Sequence, residues 1–103
     1  MIDKYKIITL CGSTRFKDEF MEVQKQLTLA GHIVLSVGCF IHSGDHVTEE
    51  QKIMLDEIHK RKIDLADEIF VINKDGYIGK STTSEIAYAV CHGKVVHYLE
   101  EIS

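Results

Sequence analysis

One short segment of the chain combines residue types that bind an anion. Gly12-Ser13-Thr14-Arg15 directly follows an apolar run. Glycine allows a close approach of the backbone, the two hydroxyls donate hydrogen bonds, and the Arg15 guanidinium matches the geometry of a phosphate. If the segment joins a strand to the start of a helix, its N–H groups and the helix dipole also favour an anion. The alternative is an ordinary turn in which Ser13 or Thr14 caps the helix.

Glu85 is the second candidate for chemistry. We expect it in the first turn of a helix at a ligand-binding edge, where its carboxylate could act as a nucleophile on a sugar carbon. The alternative is structural, because Thr82-Thr83-Ser84-Glu85 has the pattern of a capping box. In a capping box, the Glu85 side chain would bond back to the N–H of Thr82. The local pattern leaves both interpretations open.

His59 lies among several carboxylates on a predicted helix, which include Asp56, Glu57 and Asp64. If one end of this helix reaches the ligand-binding edge, His59 or a neighbouring acid could transfer a proton. The alternative is a solvated helix face held by ion pairs between residues three and four positions apart.

Two further patterns resemble sites but lack the required spacing. The segment 76–82 contains Gly-Lys-Ser, but a P-loop needs its first glycine at the position that Lys74 occupies. The loop 42–46 contains two histidines and an aspartate without a recognised metal spacing. We therefore expect no metal and no other cofactor, and a triphosphatase using Lys80 and Ser81 is only a third interpretation.

These candidates depend on elements that alternate along the chain. Short apolar runs that end at turn residues predict strands, and apolar positions three and four apart predict helices. The strands are expected at 5–11, 32–37, 68–73 and 94–99, and the helices at 16–30, 48–66 and 81–92. On the second helix, Met54, Leu55, Ile58 and Leu65 are expected to face inward.

This alternation predicts an α/β fold with a parallel sheet covered by helices on both faces. Ligands of such sheets bind beyond the carboxyl ends of the strands. Three segments leave those ends: Gly12–Arg15, the loop after Val37, and the segment from Lys74 to Glu85.

The composition limits the class of protein. The 103 residues are enough for a single domain, 1–103, and 45% of them are apolar, so one core can form. A formal net charge of −4 argues against a general nucleic-acid binder. We see no apolar run near the ~20 residues that span a bilayer, and no signal-peptide pattern at the start. Three widely separated cysteines predict no disulfide framework and a reducing, cytoplasmic location. Cys11 and Cys91 are expected to be buried thiols.

Three motifs occur in an order that resembles a known family. These motifs are Leu10–Arg15, Leu65-Ala66-Asp67 and Ser84–Ala89, and together they resemble the nucleoside 2-deoxyribosyltransferase superfamily. The segment Cys11–Arg15 is similar to the phosphate loop of its 2'-deoxynucleoside 5'-monophosphate N-glycosidases. Three positions depart from the family pattern. Thr9 replaces a usual Tyr, His59 replaces a usual Asp, and Gly79 replaces a usual acid or Ser.

The resemblance implies a flavodoxin-like three-layer sandwich with a parallel sheet of about four strands. It also implies cleavage or exchange of the N-glycosidic bond of a (deoxy)nucleoside or its 5'-monophosphate. Glu85 would be the nucleophile, and His59 or a neighbouring acid would protonate the leaving base. The residues that bind the substrate would be Gly12, Ser13, Thr14, Arg15, Gly79, Ser81 and Ser84. Its members imply a homodimer or higher homo-oligomer that binds a small nucleoside or nucleotide, and no nucleic-acid polymer or membrane. The alternative is a non-catalytic nucleotide-binding or sensing module with the same phosphate loop.

Overall fold

The computed structural model describes residues 4–41 and 44–102. Strands and helices alternate along these residues in the order that the sequence predicts. They are β1 (Ile7–Gly12), α1 (Lys17–Leu29), β2 (Ile33–Leu35), α2 (Glu49–Leu65), β3 (Glu68–Ile72), α3 (Lys80–Cys91) and β4 (Val95–Tyr98). Single turns of 3₁₀ helix follow β1 at Thr14–Phe16 and β3 at Lys74–Gly76. The last three predicted strands are one to three residues longer than those observed, because short apolar runs continue into turns that make no ladder. The first strand begins two residues later than predicted and ends one residue later, at Gly12.

The four strands form one parallel sheet in the order β2-β1-β3-β4. β1 is central and pairs with β2 on one side and with β3 on the other. The chain therefore adds β2 on one side of β1. It then crosses back and adds β3 and β4 on the other side. In sheets of this order, the crevice between the ends of β1 and β3 is where ligands bind. The predicted α/β flavodoxin-like fold is confirmed.

Two separate apolar clusters cover the two faces of the sheet. Leu10 and Ile72 point to one face and pack with Phe20 and Val23 of α1. The alternate residues of β1 and β3 point to the other face, where they pack with α2 and α3. These residues are Cys11, Ile69 and Val71, and their partners are Ile63 and Ala89. This alternation of side chains along each strand produces the three layers.

The orientation of α2 differs from the prediction. Met54, Ile58 and Leu65 are 41–54% exposed, so the expectation that they face inward is wrong. His59 and Ile63 face inward instead. The contacts that turn α2 this way are polar: the Thr9 hydroxyl donates to the Lys62 carbonyl at 2.9 Å, and His59 contacts Cys11. Leu55 is half-buried, as a position one turn before His59 should be.

Thr48 caps the start of α2 in a capping box, with Gln51 as its reciprocal partner. All three cysteines are free thiols, and Cys11 is buried as expected, but Cys91 is exposed, so that prediction is wrong. Cys91 lies at the last position of α3. Among residues 4–41 and 44–102, no helix is both long and apolar enough to cross a membrane.

Candidate functional site

A pocket of about 230 Å³ opens at the carboxyl ends of the strands. The three segments that the sequence analysis placed at this edge all contribute to its wall: the turn after β1, the residues Val37–Cys39 after β2, and the start of α3. One side of α2 closes the remaining wall. This volume lies somewhat below the roughly 300 Å³ at which pockets for small organic ligands usually begin.

The turn after β1 brings Ser13 and Arg15 to the pocket. Gly12 is needed at its start, because a Cβ there would lie 2.9 Å from the carbonyl oxygen of Ile72. Ser13 is the N-cap of the following 3₁₀ turn, and its hydroxyl accepts hydrogen bonds from the backbone and the Nε of Arg15 at 3.3 and 3.2 Å. The ordinary cap is therefore present, and the Arg15 side chain is bonded to Ser13 within the same turn.

Tyr77 connects this turn to the loop after β3. The Arg15 guanidinium lies 4.3 Å above its ring, and the ring of Phe16 meets it edge-on. The loop itself is anchored by the buried Asn73, whose amide exchanges two hydrogen bonds with the backbone of Glu100 at 2.8 and 2.9 Å. These contacts give the mouth of the pocket a defined shape.

The start of α3 supplies a second group of donors. α3 begins at Lys80 with Gly79 as its N-cap, and none of the described side chains caps it. The first N–H groups of a helix have no partner within the helix. Gly79, Ser81 and Thr82 all line the pocket, so this uncapped end favours an anion there.

Glu85 lies in the second turn of α3, since the helix begins at Lys80. The expected first-turn position and the capping box with Thr82 are therefore both wrong. The early helix start has a physical cause: Gly79 takes an extended conformation that serves as the N-cap without a side-chain bond. The carboxyl of Glu85 is left to face the pocket, where its side chain is 13% exposed.

Three reactive groups meet beneath the pocket. The Nε2 of His59 lies 3.5 Å from the Sγ of Cys11 and 3.8 Å from the Oε1 of Glu85. Cys11 belongs to β1, His59 to α2 and Glu85 to α3, so three different elements fix their positions. His59 is buried, and the alternative of a solvated helix face does not describe it.

Burial dominates the electrostatics of this group. Loss of solvent and the nearby Asp56 carboxylate raise the pKa of Glu85 to about 7, against opposing contributions from Cys11 and Lys60. Loss of solvent and the Lys62 ammonium lower the pKa of His59 to about 4. Burial, followed by Glu85, raises the pKa of the Cys11 thiol well above its usual range. Near neutral pH the thiol and imidazole are therefore uncharged, and Glu85 is poised between its two forms.

The structure brings together all but one of the residues selected from the sequence. The residues that line the pocket are Gly12, Ser13, Thr14, Arg15, His59, Gly79, Ser81 and Glu85. Ser84 is exposed and is not among the described residues that line it. Lys80 is also exposed, and it is not among the described residues that line the pocket. The triphosphatase interpretation needs Lys80 at the ligand, so the geometry does not support it. In the loop 42–46, His42 and Ser43 lie outside the described residues.

Sequence reasoning gave no role at the site to Tyr77, Lys62 or Cys11. Tyr77 and Lys62 line the pocket, and Cys11 contacts His59. Asp56, which was named among the acids near His59, also lines the pocket. A signal for Cys11 was available, because it directly precedes the turn glycine at the end of a central strand. Tyr77 and Lys62 reach the site through loop shape and helix orientation, which spacing alone does not determine.

No model of a known protein family matches the chain, and a search of curated proteins found no match either.

Proposed function

We propose that this chain cleaves the N-glycosidic bond of a nucleoside 5'-monophosphate, with Glu85 as the nucleophile. The observation that carries the proposal is the position of Glu85, a largely buried carboxyl that faces a pocket whose mouth holds Ser13 and Arg15. A phosphate at the mouth and a sugar near the carboxylate would place a nucleotide along the pocket. The three motifs that resemble the nucleoside 2-deoxyribosyltransferase superfamily support the same assignment.

The proposed reaction proceeds in two displacements at the sugar C1'. A carboxylate oxygen of Glu85 forms a bond to C1' as the bond to the base nitrogen breaks, through an oxocarbenium-like transition state. Water, or a second base, then attacks C1' and releases the carboxylate. Water gives hydrolysis and a base gives transfer. The carboxylate must be ionised for the first step, and its pKa of about 7 provides a substantial ionised fraction at neutral pH.

The leaving base needs a proton, and His59 was one candidate to supply it. Burial lowers the pKa of His59 to about 4, so the imidazole carries no excess proton at neutral pH. In the proposed mechanism, His59 transfers no proton, and its Nε2 lies 3.8 Å from the Oε1 of Glu85. Solvent water at the open mouth of the pocket supplies the proton to the leaving base.

The phosphate is assigned to the mouth of the pocket. Arg15 supplies a planar pair of donors, Ser13 supplies a hydroxyl, and the uncapped start of α3 supplies backbone N–H groups on the facing wall. Binding energy from this remote group would hold C1' against Glu85, which lowers the entropic part of the barrier.

We also propose that the chain self-associates. The apolar side chains of Ile53, Met54 and Leu65 on α2 are 50–60% exposed, and Ile58 on the same helix both lines the pocket and reaches solvent. A second copy against α2 would cover this apolar surface and narrow the pocket. Light scattering over a range of concentrations tests this, and a monomer at high concentration would contradict it.

Release of free base is the test of the proposed reaction. The protein is incubated with deoxynucleoside and ribonucleoside monophosphates, and free base is measured by chromatography. We expect release by the wild type and a loss of at least about 1,000-fold in Glu85→Gln, since the nucleophile is gone. Glu57→Gln, an exposed glutamate on α2, is the matched control and should keep full activity.

Binding separates the alternatives when no base is released. Calorimetric titration with a monophosphate should show binding to both the wild type and Glu85→Gln. Binding without base release by the wild type would indicate the non-catalytic nucleotide-binding module. Neither binding nor release would contradict both interpretations.

A further inference from the structure

The proposed reaction makes no use of Cys11, although this thiol lies against the catalytic carboxyl. One potential ligand atom from each of Cys11, His59 and Glu85 lies within 4.8 Å of the other two. His59 and Glu85 line the pocket, and Cys11 is fully buried beneath them. A thiol, an imidazole and a carboxyl that converge in this way form a set of ligands that suits zinc.

Two of the three distances between ligand atoms are close to those of a tetrahedral centre. Bonds of about 2.3 Å to sulfur and about 2.0 Å to nitrogen would separate these two ligand atoms by about 3.5 Å. Cys11 Sγ and His59 Nε2 are 3.5 Å apart. The same reasoning gives about 3.3 Å between nitrogen and a carboxylate oxygen. His59 Nε2 and Glu85 Oε1 are 3.8 Å apart, so a small movement of the Glu85 carboxyl would complete the set.

The geometry of His59 favours ligation through Nε2. This atom lies 3.5 Å from the Sγ of Cys11 and 3.8 Å from the Oε1 of Glu85, so it is the ring nitrogen that faces the other two ligands. A nitrogen of a neutral imidazole is a common ligand of zinc.

The charges around the cluster act in both directions. The Asp56 carboxylate lies close enough to raise the pKa of Glu85, and it favours a bound cation. The ammonium of Lys62, which is bound to the Ser36 carbonyl at 2.6 Å, opposes a cation. Support for a metal therefore comes from the three ligand atoms and not from the charges around them.

We propose that Cys11, His59 and Glu85 bind a divalent cation of the zinc type, and that the bound ion prevents Glu85 from attacking C1'. The ion would replace the proton of the Cys11 thiol, which passes to solvent. Since His59 and Glu85 line the pocket, the fourth position of the ion faces the ligand space. The metal site stands on the cluster alone, and its inhibitory effect rests on the proposed function.

Direct binding tests the site. Metal-free full-length protein competes with a chromogenic chelator for Zn²⁺, and Co²⁺ is added separately to report a thiolate ligand through its charge-transfer absorption. We expect one tight equivalent of Zn²⁺ and a thiolate band with Co²⁺. Cys11→Ser and His59→Gln should each weaken binding by at least about 100-fold, while the exposed Cys91→Ser should bind as the wild type does.

Circular dichroism checks that each variant folds. If Cys11→Ser does not fold, the Co²⁺ spectra of the wild type and of the Cys91→Ser control still test the proposed metal site. Absence of a thiolate band in the wild type, or its loss in Cys91→Ser, would overturn the site.

An activity measurement separates the two proposals. Base release by the wild type is compared with stoichiometric Zn²⁺ and with excess chelator. We expect inhibition by Zn²⁺ that the chelator reverses, and a smaller ratio between the two conditions in Cys11→Ser. Base release with no Zn²⁺ binding would refute the metal site and leave the proposed function intact. Zn²⁺ binding with no base release under chelator would support the metal site and refute the proposed reaction. The inhibitory role of the ion would then be refuted together with the reaction.

Discussion

Replacement of Glu85 by glutamine should stabilise the protein above pH 7. The Glu85 side chain is only 13% exposed, and burial raises its pKa to about 7. Keeping this carboxyl ionised in the folded protein therefore has a cost that the unfolded chain does not bear. Glutamine has nearly the same shape and no charge, so the variant avoids that cost.

The sign and size of the effect follow from proton linkage. A pKa that moves from 4.5 to about 7 on folding corresponds to about 3 kcal/mol, since one pKa unit is worth about 1.4 kcal/mol. The folded protein holds the proton more tightly, so this contribution is fully present below pH 4.5 and is lost as the pH rises through 7. The stability of Glu85→Gln relative to the wild type should therefore increase by up to about 3 kcal/mol between pH 4.5 and 8.

Urea unfolding at several pH values measures this difference, with chelator present to keep metal out. His59 titrates in both proteins and contributes in the opposite direction, since its lowered pKa makes stability fall as the pH drops from 6.5 towards 4. Its contribution largely cancels when the variant and the wild type are compared at one pH. Glu57→Gln should show no pH-dependent difference of this size. A constant difference between Glu85→Gln and the wild type from pH 5 to 8 would refute the reasoning.

Three further predictions concern the pocket. For a glutamate nucleophile, kcat/KM for base release should rise with pH through about 7, whereas a fall through that pH would indicate that Glu85 acts as an acid. Arg15→Gln should raise KM for a nucleoside monophosphate by about tenfold or more and change it little for the free nucleoside, with the exposed Arg61→Gln as control; equal effects on both substrates would contradict a phosphate contact. Gly12→Ala should destabilise the fold by about 1–3 kcal/mol in urea, because its Cβ would meet the Ile72 carbonyl at 2.9 Å, while Gly38→Ala, with open space at that position, should have little effect.

The order of the elements was accessible from the sequence because each apolar run ends at a turn residue. The helices predicted at 16–30, 48–66 and 81–92 match α1, α2 and α3 to within one residue at each end. The same local reasoning failed at Glu85. Thr82 and Glu85 have capping-box spacing, but the helix had already begun at Lys80, and the chain can cap α3 with an extended Gly79 instead.

The orientation of α2 could not be predicted from the sequence, for a different reason. Its apolar residues lie on more than one side of the helix, so periodicity gives no unique inward face. Contacts from elsewhere decide the matter: Thr9 bonds the Lys62 carbonyl, and Cys11 meets His59. Both partners are distant in sequence, and so the Cys11, His59 and Glu85 cluster emerges only when the sheet and two helices are assembled.

The pairing of β1 with β3 also determines when the site can form during folding. Gly12 aligns with Ile72, so the central ladder joins strands about 60 residues apart. Closing so long a loop is entropically costly, and contacts of this separation slow folding. Cys11 lies on the first of these strands, and Glu85 follows the second, so neither can meet the other before the ladder closes. The complete reactive cluster therefore forms only after the central ladder has closed.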